Sequence, residues 1–337
     1  MKINDKQIKK ILYIHYKPFG DVLCNTGVLP FIKERFPKAK LDYLVQDPYH
    51  QILYQNKNID ELVIFKDEKR TAYIWNRLKL FKDIYCRKYD LIIDQMCGTG
   101  SAQIVLLSGA KYRLGYKESR LSWVYNLLAT YNGSRYTAAT KFDLLKPLGI
   151  NEKPFCMQYY IKPESIAFIG KWLNSIGINN EKLICVAPGS KANHKKWKAE
   201  YFAKLCDFIV SKTQYKVVLL GADYEWEDIQ VVKKFMEHKP IVTPKINLNK
   251  AVALLQKATL LICNDVALNH FSAVTKTPSL AFFGRTDPVT WSPTTDSHHY
   301  YLCRSNLYQD GDNSFGISIQ EAICKVGEII KKLEEEC

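Results

Sequence analysis

The chain has no Cys-x-x-Cys pair and no Cys/His cluster at zinc-ligand spacing, although it holds ten cysteines. A structural zinc is therefore not expected. Cys185, Cys206 and Cys263 sit inside apolar runs, the pattern of buried reduced thiols, so a reducing cytoplasm is the expected setting. Apolar runs long enough to span a bilayer are missing too. The uncharged stretch Leu121–Ser134 is interrupted by Asn126, Tyr131 and Asn132, and Ile11–Ile14 is too short for a signal-peptide core. If a membrane matters, the protein is expected to lie on it. Low-complexity segments and short-period repeats are also lacking. Acidic residues are in deficit, 34 against 48 Lys and Arg, for a net charge of +14. That field suits an anionic substrate, a membrane face or nucleic acid. The basic residues are dispersed and no RRM or zinc finger appears, so nucleic acid is not an expected partner. Part of the excess is regional, with twelve Lys or Arg against six Asp or Glu in residues 66–120.

What is present is β/α alternation. A length of 337 residues with 47% hydrophobic and 24% charged content describes an ordinary globular chain of two domains. Strands are expected at Ile11–His15, Leu41–Val45, Glu61–Phe65 and Leu91–Asp94, with helices at Val22–Phe36 and Thr71–Arg87. Residues Lys111–Pro154 read as less regular, with aromatic-rich helical stretches. The pattern restarts with a helix at Pro163–Ser175 and a strand at Leu183–Ala187. A helix at Glu200–Lys212, a strand at Lys216–Leu220 and helices at Trp226–Glu237 and Lys250–Lys257 follow. Two more strands, Thr259–Cys263 and Ser279–Phe283, precede a closing helix at Ser318–Glu335. Alternation of this kind predicts parallel sheets, here as two Rossmann-like domains over 1–160 and 161–316. Residues 317–337 form the closing helix, which could pack back on the first domain.

Five polar loops follow strands in this scheme. In His15-Tyr16-Lys17-Pro18-Phe19-Gly20-Asp21, Gly20 permits a tight turn and Asp21 sits at a helix start. Asp21 is there either a plain N-cap or, facing a cleft, a general base. His15, at the strand end, reads as structural. The loop Ala187-Pro188-Gly189-Ser190-Lys191-Ala192-Asn193-His194-Lys195-Lys196-Trp197 offers a glycine, a hydroxyl and lysines, which suit a phosphate or diphosphate. It is equally a basic loop anchored by Trp197, and its glycine spacing is not that of a Walker A loop. In Gly221-Ala222-Asp223-Tyr224-Glu225 an acid could meet ribose hydroxyls, or Glu225 could decorate a first helical turn. Asn264-Asp265-Val266-Ala267-Leu268-Asn269-His270 passes from strand to helix N-terminus, a ready anion site. His270 faces a ligand there or packs on the sheet. Phe282-Phe283-Gly284-Arg285-Thr286-Asp287-Pro288 ends the next strand. Asp310-Gly311-Asp312 has carboxylate-pair spacing but lacks further ligands, so a turn is expected and no metal.

Taken in order, these segments resemble glycosyltransferase family 9, the lipopolysaccharide heptosyltransferases. The matching pieces run from Gly20-Asp21-Val22-Leu23 and Arg35-Phe36-Pro37 to Pro188-Gly189-Ser190 and Lys195-Lys196-Trp197. They continue through Gly221-Ala222 with Glu225, Asn264-Asp265 to His270, Gly284-Arg285-Thr286-Asp287-Pro288 and the helix start at Ile317–Ile323. The resemblance implies a GT-B fold, two Rossmann-like domains whose parallel sheets face a central cleft. It implies an acceptor-binding first domain and a nucleotide-sugar-binding second domain.

The implied reaction is inverting transfer from ADP-heptose to the inner core of an anionic lipopolysaccharide precursor. Asp21 would be the base, with Gly20 and Lys17 beside the acceptor. Ser190, Lys191 and Lys195 would meet the diphosphate and Glu225 the ribose. Asp265, Val266, Ala267, Leu268 and His270 would face the diphosphate and sugar. With Lys195 and a helix terminus supplying positive charge, neither a metal nor a cofactor is needed. The enzyme would work in the cytoplasm, peripherally on the inner face of the inner membrane. The family commonly has Thr-Gly where this chain has Val266-Ala267, and a proline where it has Arg285. A family member using another nucleotide sugar is therefore one alternative, and a non-catalytic polyanion-binding protein a more distant one.

Overall fold

The computed structural model describes residues 3–16, 18–66, 71–179, 181–293, 297–309 and 311–336. The chain divides into two compact units, 1–160 and 161–337. In the first, strands β1 (Lys10–Ile14), β2 (Lys40–Gln46), β3 (Glu61–Phe65), β4 (Leu91–Asp94), β5 (Tyr112–Tyr116) and β6 (Leu127–Ala129) form one sheet. Its order is β3-β2-β1-β4-β5-β6, every pairing parallel. The second unit contains β7 (Leu183–Ala187), β8 (Lys216–Leu219), β9 (Ile241–Val242), β10 (Ala258–Asn264), β11 (Ser279–Phe283) and β12 (His299–Cys303). Its sheet, β12-β11-β10-β7-β8-β9, repeats that order and is again parallel throughout. This is the doubly wound arrangement, and it covers both sheet faces. Strands such as Leu-Ile-Cys-Val-Ala and Ser-Leu-Ala-Phe-Phe are accordingly buried along their whole length.

Helices in the first unit are α1 (Phe19–Thr26), α2 (Leu29–Arg35), α3 (Thr71–Arg87), α4 (Thr99–Leu107) and α5 (Thr137–Leu145). Those of the second are α6 (Pro163–Ser175), α7 (Ala199–Lys212), α8 (Trp226–Phe235), α9 (Leu248–Leu255), α10 (Ala267–Thr275), α11 (Pro288–Trp291) and α12 (Ile319–Glu335). The single helix expected over Val22–Phe36 is instead α1 and α2. Pro30 enters in the first turn of α2 and has no N–H to bond back to Thr26, so one helix cannot run through. The stretch read as irregular, Lys111–Pro154, supplies β5, β6 and α5. The short edge strands β9 and β12 gave too little periodicity to be anticipated. The closing helix α12 places Ala322, Val326, Ile329 and Leu333 in the core of the second unit, with Phe202, Ile209 and Val217. That apolar stripe is used there.

The strand order fixes where a ligand can sit. Ligands of doubly wound sheets bind beyond the carboxyl ends of the strands, where the winding reverses. That point lies between β1 and β4 in one unit and between β7 and β10 in the other.

Candidate active site

The first switch point is followed by α1. Its N-cap is Pro18, with no side-chain cap, and Asp21 falls within the first turn. Asp21 is thus not the N-cap. Gly20 is helical and buried, and it is absent from the positive-φ glycines, so the tight turn expected of it is not made. Lys17 lies outside the described residues. The side chain of Asp21 is partly exposed and stands 3.9 Å from the Lys141 ammonium. Every residue of α5 is buried, and Lys141 itself is only 7% exposed. A cation in such a place is costly unless an anion accompanies it. Asp21 fills that need.

Burial, followed by the Lys141 charge, holds His15 well below its ordinary value of 6.5. His15 is a neutral, buried group, which agrees with a structural reading. Burial also pushes the neighbouring Cys24 thiol up to about 12, which keeps it protonated and unreactive.

The second switch point gathers more of the expected residues. After β7 the chain runs through Pro188–Ala192 and a short 3-10 turn, Asn193–Lys195, to Trp197. Trp197 is buried and stacks on Phe282 of β11, ring centroids 4.1 Å apart and ring planes nearly parallel. Asn264, the last residue of β10 and fully buried, ties down both ends of the loop. Its Nδ2 donates to the Pro188 carbonyl at 2.7 Å, and its Oδ1 accepts from the Trp197 N–H at 3.0 Å. Ser190 is buried and Lys191 exposed. The Lys195 ammonium donates to Asp265 Oδ2 at 2.6 Å, and the Thr286 hydroxyl donates to the same oxygen at 2.7 Å. Asp265 is therefore the anchor of Lys195 rather than a bare carboxylate turned toward a ligand.

Val266 is the N-cap of α10 and lends no side-chain cap to its N–H groups. The N-terminus of α10 and the Lys195 ammonium thus stand together, joined through Asp265. Residues 266–268 are partly exposed, as a helix end that meets an anion must be. His270, one turn on, is buried with its ring 6.4 Å from that of Trp291, so packing prevails over open display.

Glu225 is buried, and its Oε2 accepts from the Ala222 N–H at 2.7 Å. Burial raises its pKa. Gly189 and Gly221 both lie against it: a Cβ on Gly189 would stand 2.4 Å from the Glu225 Cβ, and one on Gly221 3.1 Å from Oε2. The two glycines are small because Glu225 occupies the space between their loops. Asp310 lies outside the described residues. Asp312 pairs with Lys198 at 3.0 Å and with Ser314, whose hydrogen bonds bring its carboxyl down to about 2. Among the described residues no cluster of three or more metal-ligating side chains occurs.

The model of glycosyltransferase family 9 (heptosyltransferase) matches residues 77–312, more than half of the chain. The chain belongs to glycosyltransferase family 9. It is a glycosyltransferase, and its two Rossmann-like units have the GT-B fold. Lipopolysaccharide heptosyltransferase 3 of Escherichia coli K12 is 27% identical over 82% of this chain and 83% of its own. Among solved structures, a glycosyl transferase family 9 protein from Veillonella parvula superposes with a TM-score of 0.85 at 23% identity, covering 96% of this chain and 97% of that one. The ADP-heptose lps heptosyltransferase II of E. coli superposes with a TM-score of 0.75 at 18% identity, covering 97% and 100%.

Three family 9 side chains in these surroundings had no role in the sequence reading. Lys141 lies 120 positions from Asp21, inside a stretch with little periodicity, and nothing local marks it. Thr286 stood inside a recognised motif, but its partner Asp265 is on the preceding strand's loop. Asn264 had a signal of its own, a lone amide ending an otherwise apolar strand.

Proposed function

We propose that this enzyme transfers a heptose, with inversion, from ADP-heptose to the inner core of a lipopolysaccharide precursor. The names of its relatives support the substrates. The observation that carries the chemistry is the Lys195 ammonium held by Asp265 beside the uncapped N-terminus of α10. A departing nucleoside diphosphate gains negative charge as its bond to the anomeric carbon breaks. A fixed cation and helix N–H groups at residues 266–268 stabilise that charge without reorganising. Ser190 and Lys191 would add a hydroxyl and a charge along the diphosphate. Glu225 would serve the ribose with the oxygen not engaged by Ala222, and His270 would support α10 against the sugar.

Asp21 would take the acceptor hydroxyl proton as that oxygen bonds to the anomeric carbon, through an oxocarbenium-like state. Lys141, 3.9 Å away, would hold that carboxylate in place for the transfer. The acceptor, lipid-anchored and anionic, would be met at the cytoplasmic face of the inner membrane. Asp21→Ala should lower kcat about 10²- to 10⁴-fold while leaving ADP affinity unchanged. Turnover equal to wild type would remove Asp21 as the base.

One observation favours a second donor. Val266 offers no hydroxyl at the N-cap of α10, and Ala267 brings a Cβ where family members commonly have glycine. A nucleotide sugar other than ADP-heptose is the reading these two residues support.

A further inference from the structure

Helix α3 has two apolar faces, and only one is buried. Leu80 and Ile84 enter the core of the first unit. At about 100° per residue, Ile74, Trp75, Leu78, Lys82 and Tyr85 fall within about 100° on the opposite side. The four apolar members are between 51% and 68% exposed. The face continues onto α4. Arg77 pins the two helices, its Nη2 donating to the Gly100 carbonyl at 2.8 Å and to Gln103 Oε1 at 3.2 Å. A Cβ on Gly109 would lie 3.4 Å from the Tyr85 ring, which places that ring just past the end of α4, where Leu106 and Leu107 are exposed.

Isolated exposed apolar residues are ordinary, but a contiguous set on neighbouring helices marks a contact surface. Its charges indicate which kind. Lys79, Lys82 and Lys88 are exposed on or near the same face. The single acid of residues 74–88, Asp83, is bound by Arg87 at 2.9 Å.

We propose that this face of α3 and α4 docks on a bilayer bearing anionic headgroups. The aromatic and aliphatic side chains would enter the headgroup boundary, and the lysines would lie along it with their charges among the phosphates. No described helix is long and apolar enough to cross a membrane. The contact is a surface one. The inference rests on the proposed meeting with a lipid-anchored acceptor at the membrane and names the face that makes the contact.

The test is co-sedimentation of the full-length protein with vesicles. Phosphatidylethanolamine vesicles containing about one-third phosphatidylglycerol should bind it, and pure phosphatidylcholine vesicles should bind it much less. Trp75→Ser with Leu78→Ser should weaken binding at least about tenfold, and so should Lys79→Glu with Lys82→Glu. All four positions are exposed, so thermal midpoints should stay near wild type. Absence of wild-type binding to the anionic vesicles overturns the proposal. So does binding lost in the lysine pair but kept in the Trp75/Leu78 pair, which would mean a soluble polyanion. Self-association through this face without vesicle binding would overturn it in favour of a second copy of the chain. Stabilisation by ADP, measured in the same samples, reports on the donor reading separately. A normal ADP response with no vesicle binding sinks this proposal alone, and vesicle binding with no ADP response leaves it standing.

Discussion

Asp21 and Lys141 stand on two helices of the first unit, 3.9 Å apart, one partly exposed and the other enclosed. If Lys141 positions the base, Lys141→Met retains the packing and removes the charge. Its kcat should fall while KM for the donor stays near wild type. An unchanged kcat would make Lys141 a packing residue only. His15 allows a stability test with a worked sign. In the folded protein burial holds its pKa well below 6.5, so as pH falls through 6.5 the unfolded chain takes up a proton that the folded chain refuses. Stability from this site is complete above that value and is lost below it. Relative to His15→Gln, the wild type should lose up to about 1.4 kcal/mol per pH unit in urea melts below pH 6.5. Parallel curves for the two proteins would show His15 to be accessible to protons. The structural role of His15 could be read from its place at a strand end. Its dependence on Lys141 could not, because that contact is made by the fold and not by the neighbouring sequence.

At the scale of elements, the strand that ends at the switch point holds the loops around it. Asp94 closes β4 and Asn264 closes β10, in equivalent places of the two sheets, and both are fully buried. The carboxylate of Asp94 accepts from the N–H groups of Met96 and Cys97, and burial raises it to about 6. Asn264 serves the Pro188–Trp197 loop in the same way, by one donor and one acceptor. Asn264→Ala leaves the Pro188 carbonyl and the Trp197 N–H without their buried partner. It should cost about 2–5 kcal/mol in chemical denaturation and weaken nucleotide binding with it. A change under about 1 kcal/mol would mean that the loop is held by the Trp197–Phe282 stack instead. The long, strongly periodic elements of this chain were legible, and so were the loops that end its central strands. Lost from view were elements whose existence depends on neighbours: the edge strands β9 and β12, and buried α5, where Thr137, Thr140, Lys141 and Asp143 are buried along with the apolar residues and erase the helical period. Gly20 was misread for a related reason. Glycine before an acid suggests a turn, yet here the helix has already begun at Phe19.

For the whole molecule, the donor question reduces to which nucleotide stabilises it. If the Lys195–Asp265 pair and the N-terminus of α10 meet the diphosphate, they read nothing of the base, so charge alone predicts similar responses to ADP, GDP and UDP. A preference must come from contacts to the base and ribose, near Glu225. If ADP-heptose is the donor, ADP at about one hundred times its dissociation constant should add about 2.7 kcal/mol and raise the melting midpoint by about 5–10 °C. GDP and UDP at the same concentration should do markedly less. Excess chelator should change neither the ADP shift nor turnover, because in the proposed site the charge on the diphosphate would be met by lysine and helix N–H groups. Lys195→Ala should diminish the shift for every nucleotide, since it removes the common anchor. Glu225→Gln should narrow the gap between ADP and its rivals if that residue reads the ribose end. A larger response to GDP or UDP would transfer the donor assignment to another nucleotide sugar, the outcome that Val266 and Ala267 favour. Loss of the ADP shift in chelator would instead place a metal ion on the diphosphate, where the lysine alone is expected.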